Sequence, residues 1–312
     1  MNKYLKQYEW SNIGAMVRNN KAIPKETDAR FDGRLVVITG ATSGIGLETA
    51  RFYASRGADL LCVNRSEERS LKLKAELEGV FKVSCRFHVA DFSRLPDVHA
   101  SAKLLAEIPE NIDVLIHNAG VYNTKRRFTP DGIEEVFQVN YLGSFIINHA
   151  VKEKLRRQGK ARIIHVNSEG HRFALAGVHL DDLGWERHRY TGLKSYGAAK
   201  TAQILSMYPL GEYFAGSGVT VNAMHPGDVK TNMGENNGRL YRFFKHRIIN
   251  PSARDPLLSA QALYYLGVAE ELAGITGKFF NFTTEETPAP HALDRDAARE
   301  VWAHSLKLGG LG

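Results

Sequence analysis

Three tyrosines stand four positions ahead of a lysine: Tyr190/Lys194, Tyr196/Lys200 and Tyr241/Lys245. Residues four apart on a helix share one face, so each pair could present a phenol and an ammonium to one bound molecule. A free phenol has a pKa near 10, and bringing it to about 7 takes roughly 4 kcal/mol of preferential phenolate stabilisation. One cation about 4 Å away supplies roughly 4 kcal/mol at an effective dielectric near 20, enough in scale to make a tyrosine a working proton carrier. Tyr190-Thr191-Gly192-Leu193-Lys194 carries a glycine inside its turn, which weakens a helix by about 1 kcal/mol relative to alanine. Tyr196-Gly197-Ala198-Ala199-Lys200 carries one too, but it runs on into Thr201-Ala202-Gln203-Ile204-Leu205, a longer helical pattern. Tyr196 and Lys200 are therefore expected to act, with Tyr190/Lys194 as the competing pair. Tyr196 would then be able to give a proton to a bound oxygen as an acid and to take one back as a base.

A second chemical signal is Thr39-Gly40-Ala41-Thr42-Ser43-Gly44-Ile45-Gly46, placed between a strand-like run and a helical pattern. Glycines there let the backbone turn tightly and approach a pyrophosphate, while the helix N-terminus offers free N–H groups. Gly40, Thr42, Ser43, Gly44, Ile45 and Gly46 thus read as a dinucleotide cradle. The second strand-like run ends Val63-Asn64-Arg65-Ser66, with Asn64 eighteen positions beyond Gly46. An acidic residue there would hold a ribose 2′-hydroxyl, whereas an arginine would pair with a 2′-phosphate. Uncharged Asn64 and cationic Arg65 favour NADP(H) over NAD(H); the competing reading of Arg65 is a solvated charge at a strand end.

The elements that must position these groups follow from the hydropathy pattern. From Arg34 onward, short β-branched runs (Leu35 to Thr39, Asp59 to Val63, Val83 to Val89, Val114 to Ile116, Arg162 to Val166, Val219 to Asn222) alternate with longer helical patterns. Runs apolar on both faces are what a parallel sheet covered by helices requires. The expected class is α/β, a single Rossmann-type doubly wound parallel sheet flanked by helices. Residues 1–30 read as an N-terminal extension and 31–312 as one domain, closed by a strand near Gly277 to Phe282 and a last helix from about Asp294 to Leu308. Pro209, inside the helix expected after Lys200, predicts a kink or break, since proline removes a backbone hydrogen bond at a cost of about 3 kcal/mol. Two stretches are irregular, Gly170 to Lys194 and residues 232–256, and long irregular connections are more often functional than idle.

Taken together, these motifs resemble the short-chain dehydrogenase/reductase family from about Arg34 to Phe282. The glycine loop matches that family's T-G-x-x-x-G-x-G. Asp91, followed by Phe92, matches its adenine-contacting Asp, and Asn118-Ala119-Gly120 its N-A-G segment, which supports the sheet beside the cofactor. Asn140, Ser168, Tyr196 and Lys200 match its catalytic tetrad, and Pro226-Gly227 with Val229 and Thr231 its nicotinamide-flanking segment. Tyr241 follows Pro226-Gly227, the wrong side in family order. The resemblance implies that Ser168 holds the substrate oxygen and steadies its developing charge, that Lys200 also reaches the nicotinamide ribose, and that Asn140 anchors a proton-relay water. Ser168 and Tyr196 lie 28 positions apart, and Asn167 to His171 is similar to an S-S-x-x-H segment with Asn167 replacing the first serine. Both features resemble the branch containing retinol dehydrogenases and the WW-domain oxidoreductase.

Composition bounds what remains. The chain has 312 residues, 43% hydrophobic and 24% charged, which excludes a disordered or fibrous protein. Lys+Arg 41 against Asp+Glu 34 leaves a net charge of +7, which suits anionic ligands but is far from a nucleic-acid footprint. Cys62 and Cys85 sit in apolar runs as core thiols, and His171, His179 and His225 lack metal-ligand spacing, so no metal is expected. No apolar run approaches the roughly 18–20 residues of a spanning helix, and residues 1–30 lack a signal-peptide core, which points to a cytoplasmic protein. The stretch 232–256 mixes Leu240, Tyr241, Phe243 and Phe244 with Arg239, Arg242, Lys245, His246 and Arg247. It reads either as an amphipathic substrate lid, one able to meet a membrane surface, or as an ordinary packed helix with a solvated basic face. The expected function is an NADP(H)-dependent oxidoreductase interconverting an apolar ketone or aldehyde and an alcohol, alone or as a homo-oligomer. The competing reading is a nucleotide-binding sensor without turnover, which has no need of a Tyr/Lys pair.

Overall fold

The computed structural model describes residues 3–227 and 254–312. Among these, eight strands form one sheet in the order β3-β2-β1-β4-β5-β6-β7-β8. The first six are β1 (Leu35–Thr39), β2 (Asp59–Asn64), β3 (Cys85–Val89), β4 (Val114–His117), β5 (Lys160–Val166) and β6 (Gly218–His225). All are parallel to their neighbours, as is β7 (Phe279–Asn281), while β8 (Thr284–Glu286) turns back antiparallel at the edge. Successive side chains of a strand point to opposite faces, and the core divides accordingly. Val37, Leu61, Leu115 and Ile163 join one cluster; Val36, Ile38, Leu60, Ile116 and Ile164 join the other. Helices α4 (Leu95–Glu107), α6 (Gly143–Gln158), α7 (Gly192–Tyr213) and α9 (Arg295–Leu308) cover the first face. Helices α2 (Gly44–Ser55), α3 (Glu67–Phe81) and α8 (Pro256–Val268) cover the second. Strand order reverses between β1 and β4, and in an open α/β sheet the crevice outside the strand C-termini at such a switch point is where ligands bind.

Three further features bear on the site. Ahead of α6, Glu135–Phe137 forms a short helix, α5, and the chain then widens into one π-helical turn, Gln138–Leu142; such bulges occur mostly at functional positions. Between β5 and α7 the connection is built from 3-10 turns at Glu169–Phe173 and Leu180–Asp182, so α7 begins only at Gly192, where Thr191 Oγ1 caps it by accepting from the Lys194 N–H at 3.2 Å. Helix α7 is not broken at Pro209. It is buried along most of its length between the sheet and α9, and that burial outweighs the single hydrogen bond a proline removes.

The N-terminal segment is tied to the far edge of the sheet. Tyr4 is buried, with its hydroxyl donating to Asp294 Oδ2 at 2.9 Å; α1 (Trp10–Asn19) ends with Asn19 Nδ2 donating to Glu286 of β8 at 2.9 Å. The Lys25 N–H donates to Thr283 Oγ1 at 2.8 Å. Cys62 and Cys85 are buried free thiols. Among the described residues no helix is long and apolar enough to cross a membrane. Val229, Thr231, the Tyr241/Lys245 pair and the stretch 232–253 expected to form a lid lie outside the described residues.

Candidate active site

The glycine loop follows β1 directly, and its glycines are explained by close approaches. Gly40 and Gly44 have φ of +73° and +55°, in the left-handed region where a side chain is strained. A Cβ on Gly46 would stand 2.2 Å from the Gly40 carbonyl oxygen and 2.4 Å from Asn118 Nδ2. Asn118 occupies that space because its Nδ2 donates to the Thr39 and Gly40 carbonyls at 3.1 and 2.8 Å, while Thr39 Oγ1 accepts from the Asn118 and Ala119 N–H groups. The Asn118-Ala119-Gly120 segment is thus a brace for the loop. Helices α3, α7, α8 and α9 are each capped by a side chain, but Ser43 makes no such bond at the start of α2. The N–H groups of that first turn remain available to an anion, and the half-buried Thr42 and Ser43 flank them.

At the end of β2 the structure separates two residues that the sequence places together. Asn64 is buried and engaged within the protein: its Oδ1 accepts from the Ala41 N–H at 2.7 Å and its Nδ2 donates to Ser70 Oγ at 3.1 Å. Its part is to hold the glycine loop, whereas Arg65, the next residue, is exposed where the strand opens on the crevice. Asp91 Oδ1 caps its own loop by accepting from the Ser93 N–H at 2.9 Å, and Phe92 is buried beneath it against Gly143. Pro226-Gly227 ends β6, with the Pro226 carbonyl accepting from Ser259 Oγ at 2.7 Å and a Gly227 Cβ excluded by the Phe282 ring.

The four catalytic candidates come from three elements, the end of β5, α7 and the π turn. Ser168 follows β5, and its Oγ accepts from the Gly170 N–H at 3.0 Å. A Cβ on Gly170 would lie 2.8 Å from Tyr196 Cε1 and 3.2 Å from Ser168 Oγ, so the hydroxyl and the aromatic ring flank one backbone atom. Gly197 makes that approach possible, since a Cβ there would stand 2.7 Å from the Gly170 carbonyl oxygen. The glycine that weakens the helix thus lets the serine turn seat against it. Lys200 is buried, with Nζ 5.6 Å from the centre of the Tyr196 ring. At that distance and an effective dielectric near 20, an ammonium contributes about 3 kcal/mol to phenolate stability. Burial also lowers Lys200 to about 7, so its charge depends on the acceptors around it. Asn140 lies in the π turn with both ends of its amide on Val121: Oδ1 accepts from the N–H at 2.7 Å and Nδ2 donates to the carbonyl at 2.9 Å.

Tyr190 does not share this environment. It precedes α7, so Tyr190 and Lys194 are not on one helical face, and Lys194 is exposed. The Tyr190 hydroxyl donates to the Asn123 carbonyl at 3.1 Å and lies 3.4 Å from the buried Glu134 carboxyl. Burial and that carboxyl push the phenol above its ordinary value, the opposite of what a proton carrier near neutral pH requires.

Two residues given no site role from the sequence, Gln203 and Asn167, complete the arrangement. Gln203 Oε1 accepts from Lys200 Nζ at 3.0 Å and from Asn167 Nδ2 at 3.1 Å, while its Nε2 donates to the Asn140 carbonyl at 2.8 Å. Asn167 Nδ2 also donates to the Lys200 carbonyl at 2.9 Å, and its Oδ1 accepts from the Ser168 N–H at 2.8 Å. The available signal was position alone: Gln203 lies three residues beyond Lys200 on the same helix face, and Asn167 adjoins Ser168. His171 is structural, its Nδ1 bonded to the Ser168 carbonyl at 2.8 Å and its Nε2 accepting from the Ala289 N–H at 3.0 Å.

The chain is similar to several known proteins. Residues 34–179 match a family model described as short chain dehydrogenase. Over 292 residues the chain is 36% identical to retinol dehydrogenase 13 of Homo sapiens, covering 91% of this chain and 86% of that protein. It is 31% identical over 284 residues to the WW domain-containing oxidoreductase of Homo sapiens, covering 89% of this chain and 68% of the relative. A short-chain dehydrogenase from Sphingobium yanoikuyae, solved in complex with NADPH, has a TM-score of 0.61 at 26% identity, over 75% of this chain and 84% of the other.

Proposed function

The chain belongs to the short-chain dehydrogenase/reductase family, on its retinol dehydrogenase-like branch, and from that premise we propose an NADP(H)-dependent oxidoreductase interconverting an apolar ketone or aldehyde and its alcohol. The observation that carries the reading is the meeting of Ser168 Oγ and the Tyr196 ring at Gly170, with the buried Lys200 Nζ 5.6 Å from the ring centre. A dinucleotide fits the residues present. The space a Gly46 Cβ would fill is already taken by the loop and its brace, so the backbone itself lines the crevice, and α2 offers N–H groups that Ser43 does not cap. When bound, the nicotinamide supplies or accepts the hydride. Gly40 to Gly46 hold its phosphates, Arg65 pairs with the 2′-phosphate, Asp91 and Phe92 bound the adenine end, and Asn118 to Gly120 keep the loop in place.

Within that frame Ser168 holds the substrate oxygen and steadies the charge developing on it. Tyr196 gives that oxygen its proton in reduction and removes it in oxidation, while Lys200 stabilises the phenolate between these events. Support for NADP(H) comes from Arg65 and from the Sphingobium yanoikuyae enzyme's NADPH; support for an apolar substrate comes from the names of the retinol dehydrogenase relatives. The test is a panel of apolar carbonyl compounds and alcohols followed by nicotinamide absorbance with both cofactors. Turnover with NADP(H) that shifts toward NAD(H) in Arg65→Asp is expected. Cofactor binding without turnover across the panel would refute the enzyme reading, and an unchanged cofactor ratio in the variant would refute the role of Arg65.

A further inference from the structure

We propose that Gln203 is the positioning residue for Lys200, its side-chain amide spanning from the lysine ammonium to the backbone of the π turn where a relay water is otherwise expected. The inference rests on the reading of Tyr196 and Lys200 as the proton-handling pair. Gln203 is buried, and its amide is held at both ends: Oε1 accepts from Lys200 Nζ at 3.0 Å and Nε2 donates to the Asn140 carbonyl at 2.8 Å. Its orientation is forced. An ammonium has only donors and a backbone carbonyl only acceptors, so a flipped amide would set NH2 against the ammonium and oxygen against oxygen. Asn167 reinforces the same orientation by donating to Oε1 at 3.1 Å.

Lys200 Nζ donates as well to the Val166 carbonyl at 2.7 Å, at the end of β5. Two of its three protons are thereby directed toward fixed acceptors on different elements, and the third is left for the rest of the site. The titratable groups facing Lys200 are Tyr196 on its own helix and His165 on β5, and burial keeps His165 neutral, well below its ordinary value. Neither supplies negative charge while Tyr196 is protonated. A buried ammonium without a counter-charge keeps its proton only through oriented dipoles. The Gln203 amide is the side-chain dipole in contact with it, and being neutral it holds the ammonium without competing for the proton.

The test compares Gln203→Met, which keeps the length and removes both hydrogen bonds, with Gln203→Glu, which keeps an acceptor at the lysine. In the cofactor-free protein, the Lys200 side chain is titrated by NMR with 13C-labelled lysine. Gln203→Met is expected to lower the midpoint by about one pH unit or more, and Gln203→Glu, which sets a carboxylate against the ammonium, to raise it above the wild-type value. In alcohol oxidation with NADP+, the acid limb of the kcat profile should move upward by about one pH unit in Gln203→Met, with kcat at pH 7 about tenfold lower and the alcohol KM within about threefold. A midpoint that stays put in Gln203→Met, or that moves the same way in both variants, would overturn the proposal. Should Gln203→Met not fold, Gln203→Glu decides alone: a raised midpoint supports the role and an unchanged one contradicts it. Absence of hydride transfer in the wild-type protein would refute the functional reading instead, and the lysine titration would still decide this one.

Discussion

The two tyrosines Tyr190 and Tyr196 lie six positions apart, each with a lysine four residues on, and the fold gives them opposite electrostatics. Around Tyr196, the neighbours are a buried lysine, the Ser168 hydroxyl and the Tyr122 ring, while His165, which burial keeps neutral, faces the lysine and stacks on His117. Around Tyr190, the neighbour is Glu134, a carboxyl that burial raises to about 7. One phenol is set beside a group that favours its anion and the other beside a group that opposes it. Spacing along the chain nominates a proton carrier, but the sign of the nearest charge selects it.

Five substitutions break or sharpen that contrast, in descending order of free energy. Lys200→Met removes the cation, and the roughly 3 kcal/mol of phenolate stabilisation it supplies at 5.6 Å corresponds to a loss of about 10²-fold in kcat/KM. A surviving rate within tenfold of wild type would place the stabilisation elsewhere. Next, two buried groups, His117 stacked on the His165 that faces Lys200 and Glu134 beside Tyr190, carry opposite pH signatures. His117, fully buried, is lowered from 6.5 to about 4, so the unfolded chain takes up protons that the fold refuses. Its contribution to stability is therefore present above pH 6.5 and falls away as pH drops toward 4, by up to about 3 kcal/mol. Glu134, raised from 4.5 to about 7, works the other way: its contribution is lost as pH rises through that window. Urea unfolding between pH 7.5 and 4.5 should thus show a shallower acid loss in His117→Gln than in wild type; parallel curves would contradict the assignment.

Third, Gly197→Ala forces a Cβ to within 2.7 Å of the Gly170 carbonyl oxygen and displaces the Ser168 turn from the Tyr196 ring. A misplacement on the order of 1 Å costs about 10²-fold in kcat, with cofactor affinity little changed. Turnover equal to wild type would show that the turn is not positioned by this contact. Smallest are the changes at the other pair. Tyr190→Phe removes hydrogen bonds to Asn123 and Glu134 and should cost about 1 kcal/mol of stability with turnover within about twofold. The exposed Lys194, as Lys194→Met, should alter stability by less than about 0.5 kcal/mol.

Much of this arrangement is legible in the sequence because the signals are local. Runs such as Leu35 to Thr39, apolar on both faces, state a covered parallel strand, and the glycine loop states a backbone that must turn and approach a ligand. What the sequence does not state is long-range bonding. Asn64 reads as the uncharged residue at the cofactor-selecting strand end, and its bonds to the Ala41 N–H and Ser70 Oγ are not legible there. Gly197 reads as a helix weakness, yet it exists for Gly170, 27 positions away. Pro209 reads as a kink or a break, and packing carries the helix through it without a break. Gln203 reads as one more helical residue, because its partners Asn140 and Asn167 come from distant parts of the chain. Each case turns on a contact across the fold that no local pattern encodes.

The most direct measurement sets Tyr196→Phe beside Tyr190→Phe, with NADPH consumption and NADPH affinity followed in both. Loss of the phenolic proton should reduce turnover by about 10³-fold or more in Tyr196→Phe with affinity nearly unchanged, while Tyr190→Phe turns over as the wild type does. Retained turnover in Tyr196→Phe, or its loss in Tyr190→Phe, would contradict the account.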